Sequence, residues 1–309
     1  MIIGAAGFVG PYLAKAVKDY LYCDVLVTKL PSERVDVPGA EVIDLNIMDE
    51  SQLSAVISDA QPDYIFHLAA QSSVALSWEN PALTVDINVK GTLNILNTIH
   101  ELGISPRVMV IGSGEEYGYV KEDMIPITEG CALNPGNVYA VTKATQNMMA
   151  TIYAQAYSLS LIMTRSFNHI GPRQTERFVV SSFCSQVAKI EKGLQEPVIR
   201  VGNLTAKRDF TDVRDVVHAY TLLAQYGKAG ETYNVGQGKA IAIQDILRLI
   251  LSRAKTNIDI FVDPERLRPV DVPIIEADIT KISRDTGWKP EIPLETTIDD
   301  VLDYWRSVV

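Results

Sequence analysis

Short apolar runs and longer helical patterns alternate along the first half of the chain. Met1–Ile3 is a brief apolar run that opens into glycines, and a helical pattern over Pro11–Tyr20 follows. Cys23–Thr28 reads as a second strand and Glu41–Ile43 as a third. A helix is predicted over Asp49–Ala60, with Asp49 as its N-cap. Tyr64–Leu68 is a strand, and Pro81–Leu102 is a long helix with Pro81 near its start. Arg107–Ile111 is a strand, Val138–Tyr157 a second long helix, and Ser160–Thr164 another strand. This alternation implies an α/β fold in which a doubly wound parallel sheet carries helices on both faces.

The second half is less regular. From Asn168 through Trp288 it is richer in proline, arginine and turn signals, and Glu231–Val235 is the segment expected to return to the sheet. The pattern divides the chain near Arg165, into residues 1–165 and a smaller C-terminal α/β lobe over 166–309. A chain of 309 residues is long enough for one large domain or two modest ones.

Charge narrows the partners. A net charge of −10 argues against nucleic acid or an anionic membrane, but leaves room for an anionic small molecule in a local basic pocket. No apolar stretch approaches the length of a membrane span. The opening MIIGAAGFVG has no basic n-region and has glycines where an apolar core would run, so no secretory signal is expected. Cys23, Cys131 and Cys184 are widely scattered, which fits a reducing cytoplasm. Neither they nor the four histidines have metal-ligand spacing, and no metal site is expected.

Gly4-Ala5-Ala6-Gly7-Phe8-Val9-Gly10 is GxxGxxG between a strand and a helix, the setting of a dinucleotide-binding Rossmann turn. Glycines allow a tight turn and close backbone approach, and the helix start offers free N–H groups to a pyrophosphate. Only three residues precede Gly4, which leaves open a shortened start. The second strand runs into Thr28-Lys29 with no acid at its tip, where NAD specificity would place one for the ribose diol. Lys29 is placed to meet a 2′-phosphate, so NADP(H) is expected, with NAD(H) use left open and a solvated surface lysine as the alternative.

Two stretches carry candidate chemistry. Tyr139-Ala140-Val141-Thr142-Lys143 is YxxxK, and on a helix residues four apart share a face. A lysine ammonium beside a phenol lowers its pKa, and the phenol can then exchange a proton with a substrate oxygen while hydride moves at the same carbon. Ile111-Gly112-Ser113-Gly114-Glu115-Glu116-Tyr117-Gly118 sets a hydroxyl beside two carboxylates at a strand end. Ser113 can hydrogen-bond the same substrate oxygen.

Taken together, GAAGFVG, HLAAQSSV from His67, NVKGT from Asn88, Ser113, YAVTK and GWKP from Gly287 resemble the extended short-chain dehydrogenase/reductase superfamily over nearly the whole chain. The resemblance implies that Asn46 and Ile47 flank the adenine, although Asp is usual at the position of Asn46. It implies that Leu68, Ala69 and Ala70 lie beside the cofactor and Ser72 beside the substrate. It also implies a homodimer, paired through helices 81–102 and 138–157 in a four-helix bundle.

Three further stretches are similar to the GDP-mannose branch: TRSFNHIGP from Thr164, VGNL running into KRDFTDVRD from Val201, and RLRPVDVP from Arg266. That branch holds GDP-mannose 4,6-dehydratases and GDP-6-deoxy-4-keto-mannose reductases. A GDP-sugar diphosphate calls for fixed cationic donors, for which Arg208 and Arg268 are the candidates. Asn168 is expected at the sugar or diphosphate and Asn203 near the nucleotide. In the dehydratases a glutamate two residues after Ser or Thr serves as acid–base group, and Glu115 has that spacing. The doubled Glu115-Glu116, with FNHIGP and RDFTDVRD, resembles the reductases more. The expected reaction is therefore reduction of the C4 ketone of GDP-4-keto-6-deoxy-D-mannose to GDP-D-rhamnose. Ser113, Tyr139 and Lys143 would be catalytic, with Glu115 as a relic or substrate contact. The alternatives are the dehydratase, with Glu115 at work, and an NDP-sugar 4-epimerase.

Overall fold

The computed structural model describes residues 1–266 and 272–309. Seven parallel strands form the central sheet: β1 (Ile2–Ile3), β2 (Leu26–Lys29), β3 (Glu41–Asp44), β4 (Tyr64–His67), β5 (Arg107–Ser113), β6 (Leu161–Ser166) and, far downstream, β10 (Thr232–Val235). Their order is β10-β6-β5-β4-β1-β2-β3, a doubly wound arrangement that reverses between β1 and β4. That reversal opens a crevice at the carboxyl ends of the strands, where ligands bind in such sheets. The inner strands are near-continuous apolar runs because both their faces are covered.

The covering helices follow from the sequence pattern. α1 (Gly10–Ala16) continues as one π turn over Val17–Leu21 and buries Leu13, Ala14 and Ala16. α2 (Glu50–Ala60) starts at Asp49, whose carboxylate accepts from the Gln52 N–H as expected of an N-cap. Past β4 come α3 (Val74–Glu79), α4 (Pro81–Val85) and α5 (Gly91–Glu101). The helix expected over 81–102 is thus interrupted, since residues Asp86–Lys90 form a π turn between α4 and α5. α6 (Val138–Tyr157) has the predicted bounds and is capped by Asn137, whose Oδ1 accepts from the Ala140 N–H at 2.8 Å.

Beyond β6 the chain forms β7 (Asn168–Ile170), α7 (Val179–Glu191), β8 (Val198–Val201), β9 (Lys207–Asp212) and α8 (Val213–Tyr226) before β10. It then forms β11 (Ala240–Ala242), α9 (Ile243–Leu251), β12 (Asp259–Val262), β13 (Ile274–Ile275), α10 (Thr280–Thr286) and α11 (Leu294–Val308). β9 pairs with β7, β11 and β13, and β8 pairs with β12. A separate core of Val180, Phe183, Ile199, Ile246 and Leu302 supports this lobe. β10 lies against β6, and α8 packs with Trp288 into the same core as Ile2 and Leu13. The chain therefore crosses back to the sheet after Arg165. Among the described residues, no helix is long and apolar enough to cross a membrane.

Candidate active site

The glycine loop begins where β1 ends. Gly4 has φ +84, a left-handed conformation that favours glycine, and a Cβ there would lie 2.5 Å from Ala69 Cα. Gly10 closes the turn against Ala5, where a Cβ would fall 2.0 Å from the carbonyl oxygen. Gly7 is different, because a Cβ there would meet nothing within 4 Å. Two glycines close the loop, and the third faces open space at the start of α1. Val9, the N-cap residue, leaves the first N–H groups of the helix without a side-chain cap. These features fit a pyrophosphate. Phe8 turns its ring onto His169 of β7, with centroids 6.1 Å apart and planes parallel to within 4°. Tyr12 donates its hydroxyl hydrogen to the Pro172 carbonyl at 2.8 Å, so the loop is tied to the chain beyond β6.

Around this loop the expected cofactor residues gather at the strand ends. The amides of Leu68 and Ala69 both donate to the Ile3 carbonyl at 2.9 Å, which holds this segment and the following Ala70 beside Gly4. Asn46 and Ile47 follow β3; Ile47 is buried beneath Gly91, and the Asn46 side chain accepts from the Met48 N–H. Lys29 stands at the tip of β2, as its position in the sequence requires, but its ammonium is held by Asp44 on the adjacent strand at 2.5 Å. The lysine expected to be available to a phosphate is already paired. The register of the parallel pair aligns Lys29 with Asp44, fifteen positions along the chain.

Ser113 ends β5 with its hydroxyl facing the buried phenol of Tyr139. Burial pushes the phenol above its usual pKa; the Ser113 hydroxyl opposes this and the charges of Glu115 and Glu116 add to it. Lys143, one turn along α6, donates to the Ile111 carbonyl at 2.7 Å and to Gln146 Oε1 at 3.1 Å. Desolvation holds its ammonium down to about 8. Lys143 is turned to main-chain and amide oxygens, and burial dominates the shift of the Tyr139 phenol.

The two glutamates have different fates. Glu115 is partly exposed and accepts from Asn137 Nδ2 at 3.3 Å, next to Tyr139. Glu116 is fully buried, accepts the Ser113 N–H at 2.8 Å and pairs with Arg165 Nε at 2.9 Å. Ser113 Oγ accepts in turn from the Glu115 N–H, completing a capping box around the short 3₁₀ turn Gly114–Tyr117. Ser-x-x-Glu spacing is the local signal by which Glu116 was open to recognition.

A second group missed from sequence ties the parts together. Asn88, in the π turn, accepts the Gln71 N–H, donates to the Gln71 carbonyl and donates to Thr142 Oγ1 at 2.9 Å. Thr142 donates to the Tyr139 carbonyl at 2.7 Å. The loop beyond Ala70 is thereby fixed to the helix that carries Tyr139. The π turn occurs where Asn88 must face inward, a frequent place for such turns.

The expected substrate residues are spread along one route. Ser72 is exposed on the loop after Gln71. β6 runs beside β5 with Ser166 opposite Ser113, so Asn168 starts β7 just beyond the strand end that carries Ser113. Asn203 is exposed in the turn between β8 and β9, its Oδ1 accepting from the Thr205 N–H and hydroxyl. Arg208 Nη1 donates to the Lys207 and Val272 carbonyls, at 2.8 and 2.7 Å. Arg268 lies outside the described residues. The chain on either side of it is placed: a Cβ on Gly202 would touch the Arg266 carbonyl at 2.6 Å, and Val272 meets Arg208.

Comparison with known proteins agrees with this geometry. The family model described as GDP-mannose 4,6 dehydratase matches residues 1–301. The GDP-6-deoxy-D-mannose reductase of Pseudomonas aeruginosa is 36% identical over 248 residues, covering 80% of this chain and 82% of that protein. A GDP-mannose 4,6-dehydratase of Yersinia enterocolitica is 28% identical over 281 residues, covering 81% and 74%. Among solved structures, RMD from Pseudomonas aeruginosa complexed with NADPH superposes with a TM-score of 0.87 at 32% identity, over 100% of this chain and 99% of that one. The UDP-glucose 4-epimerase of Thermus thermophilus in complex with NAD superposes with a TM-score of 0.89 at 26% identity, covering 100% and 99%.

Proposed function

Because the chain belongs to the GDP-mannose 4,6-dehydratase family, an extended short-chain dehydrogenase/reductase branch, we propose that it is an NADPH-dependent oxidoreductase that reduces the C4 ketone of GDP-4-keto-6-deoxy-D-mannose to GDP-D-rhamnose. The observation that carries this reading is the convergence of Ser113 and the buried Tyr139 at the end of β5, with Lys143 one turn away. The open face at Gly7 and the uncapped start of α1 fit the pyrophosphate of NADPH, and Leu68–Ala70 line the approach to it. When bound, the reduced cofactor supplies the hydride to C4.

The protein supplies the rest. Ser113 and Tyr139 face each other, and a substrate carbonyl oxygen set between them accepts from both hydroxyls. The phenol, pushed up by burial, is protonated at neutral pH and is the proton donor as the oxygen gains charge. Lys143 places a positive charge behind the phenol and is available to the cofactor's ribose. Asn168, Asn203, Arg208 and Arg268 are assigned to the sugar and GDP. The exposed apolar stripe of Val141, Met148 and Ile152 on α6 and of Leu83 and Val85 on α4 supports a homodimer. Three free cysteines accord with a reducing cytoplasm.

A second reading, the dehydratase, draws on Glu115, the carboxylate left beside Tyr139 once Glu116 is buried. A paired assay decides between them. Oxidation of NADPH with GDP-4-keto-6-deoxy-mannose, and no keto sugar from GDP-mannose with NADP⁺, is the result expected. A keto sugar formed from GDP-mannose without net cofactor consumption would establish the dehydratase instead.

A further inference from the structure

Beneath the reacting hydroxyls runs a closed polar network that the mechanism above does not use. Glu116 stands at its centre, fully buried, one oxygen on the Ser113 N–H and the other on Arg165. Arg165, on β6, also donates Nη1 to the Tyr117 hydroxyl at 3.0 Å and to the Glu129 carbonyl at 3.2 Å. Tyr117 donates to Asn234 Oδ1 of β10 at 2.7 Å. Asn234 in turn gives its amide hydrogens to the carbonyls of Ile127 and Asp278, and its N–H to Glu129 Oε1. Gly112 makes room: a Cβ there would lie 2.4 Å from Glu116 Oε1 and 2.2 Å from the Thr164 carbonyl.

The arrangement is costly in isolation. A buried ion pair gives little net stability, since desolvation offsets the attraction. A hydrophobic pair of similar volume fills such a space at least as well, so the cost points to a role in geometry. Two facts place that role at the catalytic end. Among the described residues, the main-chain group that Glu116 holds is the N–H of Ser113. Its charge also reaches both Tyr139 and Lys143.

We propose that Glu116, locked by Arg165, is a positioning residue: it fixes the Ser113–Glu115 turn so that Ser113 Oγ meets Tyr139, and it sets the electrostatic field felt by Tyr139 and Lys143. Asn234 extends the same network to β10 and to Asp278, so the turn is held against elements from both halves of the chain. The inference rests on Ser113 and Tyr139 acting together, whichever reaction of the family they serve.

The test is Glu116→Gln, assayed in the reaction that the wild-type enzyme carries out. Glutamine keeps the acceptor for the Ser113 N–H but removes the charge. The expected result is a fall of about 10- to 100-fold in kcat, with the KM of both substrates within about threefold. The pH profile is the readout that a merely structural role would not move. Among the described residues, the titratable groups facing Tyr139 are Glu115 and Glu116 on the turn and Tyr220 on α8, with Ser113 a neutral neighbour; those facing Lys143 are Glu116, itself pushed up to about 7 by burial, and His67 of β4. Loss of the Glu116 charge is expected to move the alkaline limb to lower pH, because the carboxylate favours the protonated forms of both groups. A folded variant with wild-type kcat and an unmoved limb would overturn the proposal. Should Glu116→Gln fail to fold, the double variant with Arg165→Gln removes the stranded charge and is judged by the same two outcomes. An enzyme that lacks reductase activity but responds this way as a dehydratase would refute the proposed function alone.

Discussion

Asn137 holds two things at once: its Oδ1 caps the helix that carries Tyr139, and its Nδ2 donates to Glu115 at 3.3 Å. The carboxylate with dehydratase spacing is thereby held at the start of α6, beside the phenol. A reductase has no need of a base at C5, and a dehydratase depends on one. In the reductase, Glu115→Gln is expected to lower kcat/KM for C4 reduction by less than about tenfold, against a loss of about 10²- to 10⁴-fold for Tyr139→Phe. Equal losses from the two substitutions would mean that Glu115 takes part in the chemistry.

The pH dependence follows from Lys143. Burial holds its ammonium down to about 8, with the Glu116 charge acting the other way. His67 adds no positive charge there, being kept to about 3 by burial and by Lys143 itself. Tyr139 is shifted upward, so it keeps its proton throughout the neutral range. Lys143 is therefore cationic below about 8 and neutral above. Activity is expected to fall on the alkaline side through an ionisation near about pH 8, and on the acid side as Glu116, pushed up to about 7 by burial, loses its charge. Lys143→Met should lose the alkaline limb together with at least about 100-fold of the rate. A profile level to about pH 10 would rule out Lys143 as the cation.

Much of this was legible along the chain because its causes are local. The Asp49 cap, the bounds of Val138–Tyr157 and the glycine loop each depend on residues a few positions apart. Thr232–Val235 joins the sheet beside β6, within the Glu231–Val235 segment expected to return there. The pairs that hold the site were not legible. Lys29 meets Asp44 because parallel strands bring them side by side, and Glu116 meets Arg165 because the turn after β5 folds back beside β6. No spacing rule signals such a contact. The π turn at Asp86–Lys90 was hidden for a related reason: its cause is the inward hydrogen bonding of Asn88 to Gln71 and Thr142, partners remote in sequence.

The Lys29–Asp44 pair makes a prediction about cofactor choice. It is partly exposed, and pairs of that kind are worth about 0–1 kcal/mol, so a 2′-phosphate can compete for the lysine. Asp44→Asn is expected to lower the KM for NADPH about two- to fivefold by removing the competitor. Lys29→Ala should raise it about tenfold while leaving NADH little changed. The ratio of kcat/KM for the two cofactors measures this. If NADPH and NADH move together in both variants, Lys29 does not read the phosphate.

The surface of α6 makes a prediction about assembly. Tyr139, Ala140, Lys143, Ala144 and Ala150 are buried within the protein. Val141, Met148 and Ile152 form a separate, outward stripe, with Met148 and Ile152 each 59% exposed. Covering the sheet does not account for that stripe, and a second copy of the chain would. Met148→Asp with Ile152→Glu is expected to give one 34.0 kDa chain where the unaltered protein gives two, by light scattering after size exclusion. An unaltered protein that is itself monomeric at tens of micromolar would dismiss the dimer.

Two glycines of one loop separate folding from binding. At Gly10 a Cβ would lie 2.0 Å from the Ala5 carbonyl oxygen, a rigid main-chain atom. Gly10→Ala must displace backbone, at about 3 kcal/mol, so a fall in Tm of about 5–10 °C is expected. At Gly7 the same methyl group meets nothing. Gly7→Ala should leave Tm within about 1 °C, yet place a methyl group where the pyrophosphate approaches the helix start. Its effect belongs in the Kd for NADPH, raised by about tenfold or more, read from quenching of protein fluorescence. Were Gly7→Ala to bind NADPH normally, the open face at Gly7 would not be the cofactor's seat, and the assignment of the loop would fail with it.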